Sequence, residues 1–435
     1  MKLSQIFRKF IFRSLDILKG NPIKKNYEDI QNLIENSDKE SLKNKKDLYL
    51  KGLLQHAVDT TAYYKKNSEF SSIADFPLTN KNLIRDHFDE FVSSKYTPEK
   101  CTLVSTSGST GAPFSVLQDA NKRVRNTADN LYFSKRSGYR IGQQLVYVKI
   151  WPDTYKHTIF SKFWLQNVYP QSVFNLKDND IAHLIDHLSK DSSQKSFLGY
   201  TSAFEKICKY LDKIKSGPIQ CNVVSIITMS ERLNEYTYSA MLKYFGVAPV
   251  SRYSNNENGI LAQQDRTDSS RFIVNEASYY MEIFDMKEDV VIENGKRGRI
   301  VITDLHNYAM PLIRYDTGDI GIIEKDKNDI PFLTSIEGRK LDLIYDTKGN
   351  IIPSHVSYKL SKYGDFKQFQ LVQYGEKDYL IKLNTDKKID EHTLMKEYKN
   401  IFGNDATISL EYVDEIPLLS SGKRREVSNT YHSQL

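Results

Sequence analysis

The chain has 435 residues with 40% hydrophobic and 12% aromatic content, which suits a folded protein of two or three domains and excludes a disordered one. Its formal charge of +6 is concentrated: residues 1–25 carry seven Lys or Arg against Asp16 alone, while the rest of the chain balances at 54 basic and 54 acidic residues. That balance argues against a nucleic-acid partner. No apolar run reaches the length of a spanning helix, and the spacing of Cys101, Cys208 and Cys221 excludes a zinc ribbon.

The amino-terminal "MKLSQIFRKFIFRSLDILKG" has the period of an amphipathic helix. Leu3, Ile6, Phe7, Phe10, Ile11, Ile17 and Leu18 share one arc, Lys2, Lys9, Arg13 and Asp16 the other, and Gly20 and Pro22 end it. Two placements stay open: docked on the protein's own surface, or lying on anionic lipid as a peripheral contact through residues 1–20. Basic residues interrupt the apolar stretch, so it does not read as a secretory signal.

Residues 26–66 read as charged helix, and Pro77 and Thr79 in "DFPLTNKNLIRDHFDEF" are expected to open another. "VSTSGSTGAPFS" (104–115) follows a strand-like run and is anchored on both sides. Such a stretch suits either a plain loop or an anion cradle built from hydroxyls and backbone N–H groups. It is neither a Walker loop nor a dinucleotide fingerprint. Strands are expected at 145–150, 223–228, 299–303 and 319–323, alternating with helices at 178–190 and 202–215, which predicts an α/β class of mixed sheets and helices. Beyond "GRKLDLIYDTKGN" (338–350) come short strands and a helix over 390–402, read as a small α+β domain. The division is a helix over 1–25, a large domain over 26–341 and a small mobile one over 342–435.

Five stretches in order resemble the adenylate-forming enzymes that include acyl-CoA synthetases: "STSGSTGAP", "TMSERL" (228–233), "RYSNNENG" (252–259), "KRGRIVITDLHNYAMPLIRYDTGDIG" (296–321) followed by "EGRKLDLI", and "IPLLSSGKRREV" near the end. The set spans residues 76–427. Together with "FPLTNKNLIRDHF" it is most similar to the phenylacetate–CoA ligase branch, which contains CapK-type proteins of capsular polysaccharide clusters.

The resemblance implies the site residues. Thr106, Ser107, Gly108, Ser109, Thr110 and Gly111 would wrap the β- and γ-phosphates of ATP. Glu257 would bind Mg²⁺, a hard oxygen donor for a hard cation. Ser230 and Glu231 would lie near the adenine, with Tyr253 and Asn256 beside the nucleotide. Asp319 would hold both ribose hydroxyls and Arg339 would lie near ribose and phosphate. Lys423 would be the catalytic lysine, an ammonium bridging the substrate carboxylate and the α-phosphate. Asp342 would be the hinge on which the small domain swings between half-reactions. Trp151, Tyr200, Thr201, Ser202 and Met229 are the candidate acyl pocket.

The chain also departs from the pattern. Phe114 stands where many members carry a lysine, Ser254 replaces a glycine, Asn256 stands where Thr or Ser is commoner, and Glu426 takes a usually basic position. "YVKIWPDTYKHTIF" occupies the place of a glycine-rich stretch in aromatic-acid enzymes, which argues against phenylacetate as substrate. The expected function is ATP-dependent activation of a carboxylic acid as acyl-AMP, then transfer to a thiol of CoA or a carrier protein, for surface polysaccharide modification. The alternatives are an adenylyltransferase that stops at AMP transfer and a catalytically silent nucleotide-binding scaffold. The expected location is the cytoplasm or the inner face of the membrane.

Overall fold

The structure is a computed structural model that describes residues 2–35, 39–106, 114–151, 166–174, 176–339, 344–352, 368–385, 389–417 and 427–431, with backbone alone at 39, 41, 42, 106, 338, 339 and 351. The chain divides into two compact units, Met1–Thr317 with Ile322–Ser335, and Gly318–Gly321 with Ile336–Leu435.

The first unit begins with helices α1 (Leu3–Leu18), α2 (Pro22–Glu35), α3 (Lys39–Thr60), α4 (Lys81–Asp86) and the single turn α5 (Phe88–Phe91). Helix α4 opens one residue later than expected. Asn80, not Pro77 or Thr79, is its N-cap, its side chain accepting from the N–H groups of Asn82 and Leu83 at 3.0 Å each. Thr79 instead forms a parallel bridge with Tyr315, which fixes the start of α4 against a distant strand.

A two-stranded ladder follows, β1 (Thr102–Thr106) against β2 (Phe114–Gln118), with Thr106 opposite Phe114. Helix α6 (Ala120–Arg136) leads into the main sheet, whose strands are β3 (Gln144–Lys149), β4 (Val168–Ser172), β5 (Lys195–Tyr200), β6 (Val223–Met229), β7 (Val250–Asn255), β8 (Gly259–Gln264), β9 (Phe272–Val274), β10 (Tyr279–Phe284), β11 (Arg297–Asp304), β12 (Tyr315–Lys325) and β13 (Pro331–Arg339). Among the described residues their order is β10-β11-β12-β13-β9-β8-β7-β6-β5-β3-β4. Strands β4, β3, β5, β6 and β7 run parallel, and β8 turns antiparallel to β7. The parallel strands read as near-continuous apolar runs because helices cover them: α7 (Asp178–Lys190), α8 (Thr201–Lys213) and α9 (Glu235–Phe245) bury Leu184, Phe204, Ile207 and Met241 against Val146, Val148 and Phe197. The expected alternation of strands and helices is therefore observed, and with it a mixed α/β fold.

The second unit has its own core. Strands β14 (Ile344–Tyr345) and β15 (Ile351–Ile352) pair antiparallel, and β16 (Gln368–Gln373), β17 (Asp378–Asn384), β18 (Thr407–Tyr412) and β19 (Val427–Asn429) form a sheet in the order β18-β17-β16-β19. Helix α10 (Glu391–Phe402) is the crossover between the parallel pair β17 and β18. It buries Leu394, Tyr398 and Phe402, with Phe402 stacked on Tyr379 at 4.1 Å.

Candidate functional site

Ligands of parallel sheets bind outside the carboxyl ends of the strands, where loops of different strands converge. Strands β3, β5, β6 and β7 end at Lys149, Tyr200, Met229 and Asn255, so their parallel pairing collects Trp151, Thr201, Ser202, Ser230, Tyr253, Asn256 and Glu257 at one end of the sheet. Tyr200 lies directly opposite Met229 in the ladder.

Glu257 follows β7 in a turn that buried polar groups hold in place. The Asn255 side chain accepts from the Asn258 N–H at 2.9 Å, Gln118 Nε2 donates to the Glu257 carbonyl at 2.8 Å, and the Tyr279 hydroxyl donates to the Asn258 carbonyl at 2.6 Å. Gly259 closes the turn at φ +123°, where a Cβ would meet the Asn126 side chain at 2.8 Å. The Glu257 side chain is only 1% exposed; its Oε1 accepts from the Tyr315 hydroxyl at 2.7 Å and pairs with Lys81 Nζ at 3.1 Å. A buried carboxylate requires such partners.

Phe114 completes the group. Its ring is parallel to Tyr315, with centroids 6.1 Å apart, and Lys81 Nζ lies 5.9 Å above it. The hydroxyl-rich stretch of the sequence therefore ends against the same residues that surround Glu257. Lys81 of α4 thus places an ammonium beside both Phe114 and Glu257. Lys81 and Tyr315 were not singled out in the sequence: Lys81 lies within the quoted "LTNKNLIR", and Tyr315 precedes "DTGD".

At the ends of β5 and β6, Glu231 is committed locally. Its carboxylate accepts from the Ser202 N–H at 2.7 Å and the Ser202 hydroxyl at 3.0 Å, at the N-terminus of α8, and its carbonyl accepts from the Thr201 hydroxyl at 3.2 Å. Ser230 leaves β6 at φ +69°, uncommon for a residue with a Cβ. The Tyr253 hydroxyl donates to Thr317 Oγ1 at 3.3 Å, and Asn256 is exposed. Trp151 Nε1 donates to the Tyr147 carbonyl at 2.9 Å and its ring meets Tyr147 edge-on. Lys149, also not singled out, has its Nζ 4.5 Å from the Trp151 centroid and 4.8 Å from that of Tyr147, and burial lowers its pKa below the usual lysine value. Burial, with the Glu231 charge, raises that of Tyr200.

Asp319 lies within β12, half-buried after Gly318, so it is a strand residue; it belongs with Gly318–Gly321 to the second unit. Arg339 ends β13, and Thr106 ends β1. Ser107, Gly108, Ser109, Thr110, Gly111, Asp342 and Lys423 lie outside the described residues.

Among the described residues no group of three or more His, Cys, Asp or Glu is arranged to hold a metal ion. The donor chemistry at Glu257 nevertheless fits Mg²⁺, which is commonly held by one or two carboxylates with substrate phosphates and water completing its shell.

Comparison with known proteins bears on the fold and the family. Residues 343–430 match the family model of the CapK C-terminal domain. The chain is 23% identical to the protein CapK of Staphylococcus aureus over 93% of this chain and 92% of that one. It is 22% identical to a phenylacetate–coenzyme A ligase of Aromatoleum evansii over 80% and 83%. Among solved structures, 2-hydroxyisobutyryl-CoA ligase in its postadenylation state with 2-HIB-AMP superposes with a TM-score of 0.69 at 14% identity, covering 90% of each chain. The ATP-bound MatB of Rhodopseudomonas palustris gives 0.53 at 13% identity, covering 77% of this chain and 68% of that one. The fold is that of these ligases, and the chain belongs to the adenylate-forming ligase superfamily, distantly homologous to CapK and to phenylacetate–CoA ligase.

Proposed function

We propose that the protein activates a small carboxylic acid with ATP. An oxygen of the acid attacks the α-phosphorus, the bond from that phosphorus to the bridging oxygen breaks, and pyrophosphate leaves acyl-AMP. A thiol of CoA or of a carrier protein then attacks the acyl carbon and AMP departs. The observation that carries this reading is the buried Glu257 carboxylate beside the Lys81 ammonium, at the carboxyl end of the parallel strands and against the end of the hydroxyl-rich stretch.

The first step brings two anions together, so catalysis rests on positioning and on offsetting charge. Lys81 supplies a compact positive charge beside the phosphates and Tyr315 keeps the Glu257 carboxylate aimed. Glu257 would hold Mg²⁺, which when bound offsets charge on the triphosphate. The hydroxyls and N–H groups of Thr106 to Gly111 bind the β- and γ-phosphates, Asp319 and Arg339 the ribose side, and Lys423 the α-phosphate. Ser230, Glu231, Tyr253 and Asn256 border the nucleotide, and Trp151, Tyr200, Thr201, Ser202 and Met229 border the acyl group. Asp342 is the hinge. These roles rest on the superfamily's motifs, and the likeness to CapK supports a surface polysaccharide as the final acceptor of the acyl group.

The test is pyrophosphate release across a library of carboxylic acids. Release that depends on one class of acid supports the reading. AMP transfer without an acid requirement would favour an adenylyltransferase, and ATP binding without turnover a silent relative.

A further inference from the structure

Helix α1 packs on the first unit with its polar side and turns its apolar side outward. Gln5 and Asp16 are its buried residues, 1% and 7% exposed. Gln5 Nε2 donates to the Gln194 carbonyl at 2.8 Å, and Lys2 Nζ pairs with Asp191 at 3.0 Å. The Asp16 carboxylate accepts from the N–H groups of Ile23 and Lys24 at 3.0 and 2.9 Å, capping the first turn of α2. Gly142, at φ +96°, lies so close to the Gln5 carbonyl that a Cβ there would collide with it. Each contact holds the polar side of the helix inward.

Among the described residues nothing covers the other side. Leu3 is 86% exposed, Ile6 52%, Phe7 58%, Phe10 67%, Ile17 61% and Leu18 81%. At the helical repeat these six centre about 150° from the Gln5–Asp16 line, so they point away from the protein. Exposed Arg13 borders the band along one edge, and exposed Lys9 lies on the same flank farther round the helix. A folded protein seldom leaves so continuous an apolar stripe in water without a partner.

We propose that α1 is an interfacial helix that seats this unit on an anionic lipid bilayer. Charge complementarity selects the occupant. The only acid among residues 1–25 is Asp16, which is turned inward and used as a cap, so what the segment shows outward is cationic. A second copy seated face to face would oppose these cations to one another, because such a contact is self-complementary. The 16 residues extend for about 24 Å, and no described helix is long and apolar enough to cross a membrane. The helix therefore lies in the headgroup plane, with Phe7 and Phe10 inserted and Lys9 and Arg13 among the phosphates. This inference is independent of the reading of the nucleotide site.

The test is sedimentation of the full chain with vesicles of equal phosphatidylglycerol and phosphatidylcholine, and with phosphatidylcholine alone, at 0.1 M salt. Wild type is expected to partition at least tenfold more strongly to the anionic vesicles. A Phe7→Asp, Phe10→Asp variant, altered only at exposed positions and with an unchanged melting temperature, is expected to lose at least tenfold of that binding. Lys9→Glu, Arg13→Glu should remove the preference for anionic lipid. Equal sedimentation of wild type and the double-Asp variant would overturn the proposal. So would absence of vesicle binding together with a dimer in sedimentation velocity that the double-Asp variant abolishes.

Discussion

Lys81 Nζ and Glu257 Oε1 lie 3.1 Å apart although 176 positions separate them in the chain, and the carboxylate is buried while the lysine side chain keeps 35% of its surface exposed. In the proposed reaction this ammonium offsets charge on the triphosphate beside Glu257. Lys81→Ala is therefore expected to lower the rate of acid-dependent pyrophosphate release on the order of 10²-fold. Lys81→Arg, with a fork in place of a point charge, should restore only part of it. Unchanged turnover in Lys81→Ala would remove Lys81 from the reaction.

In the proposed reaction Tyr315 acts through Glu257. Tyr315→Phe keeps the ring against Phe114 and deletes the hydroxyl that donates at 2.7 Å. Loss of one hydrogen bond to a charged group costs about 1.5–3 kcal/mol, so a fall in rate of about tenfold to a hundredfold is expected, with folding retained. A rate within twofold of wild type, measured in the same assay, would show that the hydroxyl has no positioning role.

Lys423→Ala is expected to abolish adenylation while calorimetry still detects ATP binding, because the lysine is assigned to charge that develops in the transition state. Persisting pyrophosphate release would contradict that assignment.

His306 gives a pH signature of stability. Burial first, then the charges of Arg125 and Lys122, lower its pKa to about 3, while its ring lies edge-on to Tyr49 and Nε2 meets the Ala277 carbonyl at 3.2 Å. Above pH 6.5 the imidazole is neutral folded and unfolded, so it contributes no pH dependence. As pH falls below 6.5 only the unfolded chain takes up the proton, and stability is lost progressively down to about pH 3, by about 2 kcal/mol at pH 5. His306→Gln should flatten this slope in thermal melts between pH 7 and 5. Parallel slopes for variant and wild type would show that another group is responsible.

In the second unit, Phe402 is fully buried and stacked on Tyr379 at 4.1 Å. Phe402→Ala is expected to cost about 3–5 kcal/mol by the cavity it leaves. Denaturant unfolding followed by hydrogen exchange over residues 368–417 measures it, and a loss below about 1 kcal/mol would contradict the packing described.

The strands and helices of the sheet were legible because burial imposes a period: Ile181, Leu184 and Leu188 recur at helical spacing, and "VVSIITM" is an apolar run that fits a covered parallel strand. Glu257 was legible from the ordered motifs around it. Lys81 and Tyr315 were not, because their place beside Glu257 comes from the bridge between Thr79 and Tyr315, a pairing that no local pattern encodes. The start of α4 was misread for a related reason: Thr79 and Asn80 are both good caps, and the sheet claims Thr79. Periodicity divided α1 into two faces but not inner from outer. That choice depends on Asp16 capping the next helix and on Gly142 admitting the Gln5 backbone.

Carboxylate-dependent exchange of labelled pyrophosphate into ATP is the most direct test of acyl-adenylate formation. The expected result is exchange that requires both a particular class of acid and the Glu257 carboxylate, falling by about 10²–10³-fold in Glu257→Gln. Exchange that proceeds without any acid, or that survives Glu257→Gln unchanged, would contradict it.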